Sequence, residues 1–342
     1  MSAAQLFLFG TRLWELVQGR LAKKYIQQYK PFPIPPKEAR LFNPSDAVVS
    51  WLANVPHQDA VWNSDNTLLH LLAPFQEPDI GLVGCQIEPY VPKERQSASK
   101  ITEWEVAALY SRLKQRGGNK AAYVADGSTN FIVSGATMLL RGVISREPDF
   151  QNELLLETFR GFLQTAGEDA FITRWVLFQH LRKDAQRSFK KWRIGMQILP
   201  EAYISAPLAR DSRFVGQVAG FGRDFKLSLT CLFSEPGFRK LYWTTPYMAR
   251  KMVQGLLNPF VSLLWYISLY MAYYQYPIIA VAFALYYLYG FIGSMFSFVK
   301  EFPYCGSKIW AAILSDMILL FSAFYFDENS ASRPGFIGDR QI

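Results

Sequence analysis

The chain has 342 residues, half of them hydrophobic and 16% aromatic, with a formal charge of +8 at neutral pH. That length supports a full domain core with sequence to spare. The positive balance suits anionic lipid or a phosphorylated substrate rather than nucleic acid, because aromatic-rich apolar runs crowd toward the C-terminus. Cys85, Cys231 and Cys305 are far apart and odd in number, which argues against a disulfide framework and a cysteine metal site. His57, His70 and His180 show no ligand spacing, and the absence of an Asn-x-Ser/Thr sequon favours a cytosolic face for the soluble part.

In chain order, residues 1–29 carry an apolar patch interrupted by Arg12 and Glu15. The patch lacks a small-residue cleavage site and is short for a span, so it predicts an amphipathic helix lying on a membrane surface. Residues 30–42 are proline-rich and predict an extended linker. Between 43 and 235, "AVVSWLA" and "IGLVGCQIEPYV" predict strands, and "STNFIVSGATMLLR" a strand followed by a turn. "NTLLHLLAPF", "KITEWEVAALYSRLKQR" and "FQNELLLETFRGFLQ" have helical periodicity. Strands alternating with helices predict an α/β domain. Residues 236–255 form an interfacial segment with Arg239, Lys240, Arg250 and Lys251.

From Leu256 no charge occurs until Lys300, long enough for two membrane spans broken near Gln275–Pro277. Ile309–Phe326 is a shorter run containing Asp316 and is expected as a third span, with 327–342 as a polar tail. Basic residues before the first span place the preceding domain on the cytosolic side. Two or three C-terminal transmembrane helices are therefore expected, and an integral protein of a plasma or Golgi-type membrane.

"LQTAGEDAFITRW" sets Glu168 and Asp169 between a glycine and a helix-like apolar run. From the residues alone the pair fits either an acid cap stabilising the helix dipole or a general base exposed at a helix start.

Several short motifs follow one another in a characteristic order: "KPFPIPP" (Lys30–Pro36) before "NPSDAVV", "VGCQ" (Val83–Gln86), Asp126–Gly127, "SGAT" (Ser134–Thr137), Arg141, "GEDAFITRW", "PEA" (Pro200–Ala202) and "NPF" (Asn258–Phe260). In that order the chain resembles a membrane-embedded family 2 glycosyltransferase. This is the class of cellulose, chitin and hyaluronan synthases, and the similarity is to its fungal polysaccharide-synthase-like branch. The resemblance implies a GT-A-like, Rossmann-like domain and inverting transfer of a sugar from a nucleotide-sugar, a UDP-sugar by analogy, to a growing polysaccharide. It implies Asp169 as the base with Glu168 beside it, and acceptor or donor contacts from Asp126, Ser134, Gly135, Gln217, Phe221 and Arg223. It also implies a Mg²⁺ or Mn²⁺ ion at an Asp-x-Asp-like run, which here reads "HQDAVW" with Asp59 as its one acid.

Two further departures accompany that run. The sequence between the first strand and "HQDAVW" is abbreviated where the family has its nucleoside-binding units. The family's Gln-x-x-Arg-Trp motif reads "QVAGF", with Gly220 and Phe221 for the arginine and tryptophan. Two functions remain open: a sugar transferase, or a catalytically inactive membrane-anchored partner of an intact synthase, alone or as an oligomer.

Overall fold

A computed structural model describes residues 2–34, 48–50, 61–114, 118–127, 132–159, 162–163, 168–181, 190–216, 218 and 238–324. The chain opens with α1 (Ala3–Gln28), then β1 (Val48–Ser50), β2 (Val61–Trp62), α2 (Thr67–Leu72), β3 (Ile80–Cys85) and β4 (Ile87–Tyr90). Next come α3 (Glu103–Lys114), α4 (Gly118–Asp126), β5 (Leu139–Arg141), α5 (Gly142–Ser145) and α6 (Pro148–Leu156). A two-residue hairpin, β6 (Thr158–Phe159) and β7 (Phe162–Leu163), leads to α7 (Glu168–Phe178), β8 (Arg193–Gln197) and β9 (Ile204–Pro207). The C-terminal part is helical: α8 (Phe238–Thr244), α9 (Pro246–Gln275), α10 (Pro277–Glu301) and α11 (Ile309–Phe324).

The expected α/β class is observed. A four-stranded mixed sheet has the order β1-β5-β3-β8, with β3 and β8 parallel and the β5 pairings antiparallel. A second sheet, β2-β9-β4, continues it, because β3 and β4 are one extended run that changes sheets at Gln86 while β8 and β9 do the same across a 3₁₀ turn at Pro200–Ala202. All six residues of β3 are buried, as expected of a strand covered on both faces. An added Cβ at Gly81 would lie 2.6 Å from Ile144 Cδ1, one at Gly195 2.7 Å from Pro74 Cβ and one at Gly84 closer still to Val133 Cγ1, so all three glycines are where the layers meet too closely for a side chain.

Polar side chains fix this core from inside. Arg141, nearly buried, donates from Nε to the Ile80 carbonyl at 2.8 Å and from one terminal nitrogen to the Phe75 and Glu77 carbonyls at 3.0 and 3.1 Å. Gln197, fully buried, accepts from Phe32 N at 3.1 Å and donates to Phe32 O at 2.9 Å, reading both backbone groups of the proline-rich linker. Tyr29 donates its hydroxyl to Met196 O (2.9 Å) and accepts from Ile198 N (2.6 Å). Burial pushes that hydroxyl up to about 12. At α3, "TEWE" forms a capping box: Thr102 Oγ1 accepts from Glu105 N (3.2 Å), and Glu105 accepts from Thr102 N (2.9 Å) while pairing with Arg95 at 2.6 Å.

Three local expectations change. The helical run at Phe150–Gln164 stops at Leu156 and gives way to the pairing of β6 with β7, Thr158 opposite Leu163 and Phe159 opposite Phe162. In "STNFIVSGATMLLR" the turn precedes the strand: a 3₁₀ turn over Gly135–Thr137 feeds β5. Strands β8 and β9 carry no strand expectation, because glycine and proline interrupt their pattern.

α10 is long and apolar enough to cross a membrane. α9 passes the same test only as two segments bent by 54° between Asn258 and Phe260, where Pro259 withholds a backbone donor. The described part of the third apolar run is the 16-residue α11, about 24 Å at helical rise. It turns Ala311 and Ala312 onto Val106 and Leu109 of α3. Lys308 fastens its start by pairing with Glu103 (3.0 Å) and donating to Ile101 O (2.6 Å).

Candidate functional site

The acid pair Glu168–Asp169 forms the first turn of α7, whose opposite face holds it in the core. Phe171 stacks on Trp175 (centroids 5.8 Å), and Phe150 of α6 meets both rings. Arg174 pairs with Glu157 at the end of α6 in a nearly buried ion pair. These contacts fix the axis of α7, and therefore where its N-terminal carboxylates lie.

The turn Gly135–Thr137 sits against that N-terminus. Asp169 Oδ2 accepts from Gly135 N at 3.2 Å, and Oδ1 accepts from Ala170 N at 2.8 Å. Thr173 completes the junction: its hydroxyl donates to Asp169 O at 2.7 Å and accepts from Val133 N at 3.0 Å. Two backbone donors and the N-terminal end of the α7 dipole thus face the Asp169 carboxylate. Asp169 and Glu168 are both half-buried, so they are reachable from outside. A charged carboxylate with solvent access at the lip of a packed helix can accept a proton from a hydroxyl brought to it.

Gly135, 34 residues upstream of Asp169 in sequence, is thus brought to it, with Ser134 next to it in the chain. Asp126 is placed differently: at the end of α4, its Oδ2 accepts from Tyr247 N (2.9 Å) and Met248 N (3.1 Å), binding the first turn of α9. Its neighbour Gly127 has a φ of +68°, which a side-chain-free residue adopts without strain. Asp59, Gln217, Phe221 and Arg223 lie outside the described residues, as does the side chain of Asp316. Thr173 is the site residue that sequence reasoning missed. Its signal was available, because a helical threonine can bond back to the i−4 carbonyl, and Thr173 stands four residues after Asp169.

The described residues do not by themselves build a site for Mg²⁺ or Mn²⁺. Among them no group of three or more His, Cys, Asp or Glu could hold a metal ion. Both Asp169 oxygens already accept from backbone donors.

No family model matches the chain. It is 30% identical over 264 residues to a protein of Aspergillus luteorubrus named NDP-glycosyltransferase ltbB, a match covering 76% of this chain and 62% of that one. It is 29% identical over 191 residues to a type 2 glycosyltransferase of Pyricularia oryzae, covering 55% of this chain and 36% of the relative. A type 2 glycosyltransferase of Zymoseptoria tritici is 25% identical over 210 residues, covering 61% and 41%. The matches therefore span between about one third and just under two thirds of these relatives' length. Among solved structures, the mannosyltransferase PcManGT from Pyrobaculum calidifontis, in complex with GDP-Man and Mn²⁺, aligns with a TM-score of 0.40 at 15% identity over 77% of this chain and 60% of that one. Over three quarters of its length, then, the chain is similar to a fungal protein named as a glycosyltransferase.

Proposed function

We propose that the chain is a membrane-anchored glycosyltransferase of the family 2, GT-A type, in which Asp169 is the catalytic base. The observation that carries this reading is the junction of Gly135 with Asp169: two motifs distant in sequence meet at one half-buried carboxylate. The fungal relatives named as glycosyltransferases support the class.

In the proposed reaction the acceptor hydroxyl oxygen forms a bond to the anomeric carbon of the sugar. The carbon–oxygen bond to the nucleoside diphosphate breaks on the opposite face, and the diphosphate leaves with the electron pair. The hydroxyl proton passes to the Asp169 carboxylate, and the configuration inverts. Glu168, beside Asp169 at the same helix start, faces the acceptor. A UDP-sugar as donor, a polysaccharide as acceptor, and α9 and α10 crossing a plasma or Golgi-type membrane with the α/β domain cytosolic complete the reading. The apolar length of α10 supports the last point.

The test is turnover of nucleotide-sugars by the full chain in membranes, with and without Mn²⁺. Release of nucleoside diphosphate that Asp169→Asn abolishes supports the proposal; turnover unchanged by that substitution sinks Asp169 as the base. The single acid of "HQDAVW" is what favours the inactive-partner alternative. Calorimetric titration of uridine diphosphate separates the two, since an inactive partner needs no nucleotide site.

A further inference from the structure

α1 does not stand apart from the C-terminal helices; it runs antiparallel along α9. Leu8 is buried against Ala272 and Ala280, on either side of the turn that joins α9 to α10. Phe9 meets Phe283 edge-on with centroids 4.8 Å apart. Arg12, paired with Glu15 at 2.7 Å, donates to the Tyr286 hydroxyl and lies 4.7 Å over that ring. Further along, Trp14 lies 5.9 Å from the Arg250 guanidinium, and Tyr25 packs on Tyr247 at 5.6 Å. Contacts therefore step from the helical turn at one end to the base of α9 at the other.

Near that base α1 and α9 both change from apolar to basic. Before Gly19, α1 exposes Leu6, Phe9, Leu13, Trp14, Leu16 and Val17; after it come the exposed Arg20, Lys23 and Lys24. On α9 the apolar stretch begins after Arg250 and Lys251. α4, packed between the two through Ala121 and Ala122, adds Lys120, which lies 4.6 Å over the Tyr29 ring. Against these cations the three helices carry only two acids. Glu15 is spent on Arg12, and Asp126 is turned into the backbone of α9. Arg250 Nε is buried with no hydrogen-bond partner. Lys251, next to it in the chain, donates its ammonium to the neutral Gln254 side chain at 3.4 Å rather than to an acid.

We infer that this collar, formed by Arg20, Lys23, Lys24, Lys120, Arg250 and Lys251, binds the headgroups of anionic phospholipids. The inference rests on the membrane-anchored reading above. If α9 and α10 are in the bilayer, the apolar half of α1 enters with them, and the collar stands at headgroup level beside the exposed aromatics Tyr242 and Trp243 of α8. Juxtamembrane lysine and arginine clusters attract anionic lipid in this way.

The experiment is native mass spectrometry of the detergent-purified full chain incubated with equimolar phosphatidylserine and phosphatidylcholine. The unaltered chain retains phosphatidylserine preferentially. Lys23→Gln with Lys24→Gln lowers that preference by about fivefold or more, and Arg250→Gln lowers it independently. Lys190→Gln with Arg193→Gln removes two charges elsewhere, one of them already matched by Glu77 and Asp79, and leaves the preference intact. Equal retention of the two lipids by the unaltered chain, or an equal loss in the control, overturns the collar. Alkaline carbonate washing of membranes reads the anchoring separately. Release of the chain defeats the anchored reading, whereas a chain that resists the wash but shows no lipid preference defeats the collar alone.

Discussion

β3 and α10 are similarly apolar and meet opposite fates. Every residue of β3 is buried, whereas α10, 25 residues long, buries only Ala280, Met295 and Phe298 and leaves Ile278 84% and Tyr289 79% exposed. Their glycines differ in the same sense. Gly81 and Gly195 in the sheet have neighbours closer than an added Cβ permits, while Gly290 and Gly293 in α10 have nothing within 4 Å. Burial inside the protein places the apolar side chains of the sheet. The helices expose an apolar area that water does not favour, and the proposed bilayer is the solvent that suits it. Substitutions in the two regions are therefore governed by different costs.

The largest effect is expected at the lip of the sheet region. Asp169→Asn should reduce sugar transfer by about 10²-fold or more, the range of a lost general base. Asparagine keeps an oxygen acceptor for Ala170 N and loses the one for Gly135 N, at a cost of about 1–3 kcal/mol. Measured turnover should fall far more than that modest drop in thermal stability explains, with the chain still in the membrane fraction. A parallel loss of protein would instead make Asp169 a cap.

Within the core, Gly195→Ala forces a methyl against Pro74 Cβ and between the Ile80 branches at 3.2 and 3.3 Å. Overpacking of this kind costs about 1–3 kcal/mol, readable as a lower denaturation midpoint. A neutral result would mean the β3–β8 layer is looser than its contacts indicate.

Tyr29→Phe comes next, at about 1–2 kcal/mol, because it leaves Ile198 N without its acceptor. It also carries a pH signature. A tyrosine raised to about 12 in the folded chain stabilises it fully below the ordinary value of 10 and loses that contribution as pH rises from 10 through 12. The unaltered chain should therefore lose stability in that alkaline window more steeply than Tyr29→Phe does, as alkaline melts would record. Identical slopes would remove Tyr29 as the clamp between linker and sheet.

How much of this was legible beforehand depended on whether the determinant was local. α3 was readable because the capping residues Thr102 and Glu105 sit next to its apolar face, and β3 because a continuous apolar run is bounded by turn residues. The short hairpin after Leu156 was not, because helical periodicity continues through Phe159 and Phe162 and only tertiary pairing decides against it. At the site, the acid pair was visible as two adjacent carboxylates, but the residues alone fitted a helix cap as well as a base. Its partner Gly135 could be linked to it only through motif order, since a backbone N–H leaves no trace in residue identity. Asp126 carries a role its motif did not suggest: one oxygen of its carboxylate holds the first turn of α9. A carboxylate that caps a distant helix looks the same in sequence as one that binds a ligand.

The smallest expected effect sharpens the comparison most. At Gly290 an added methyl meets nothing, so packing imposes no cost, and glycine in a helix interior is less favourable than alanine by about 0.8–1.0 kcal/mol. Gly290→Ala should therefore leave the chain unchanged or slightly more resistant to unfolding, with transfer activity intact. If it destabilises as much as Gly195→Ala, something covers that face of α10, and the two regions would share one kind of packing. If it does not, the same residue exchange costs stability in the sheet and none in the helix, and that helix face is open, as the proposed bilayer contact requires.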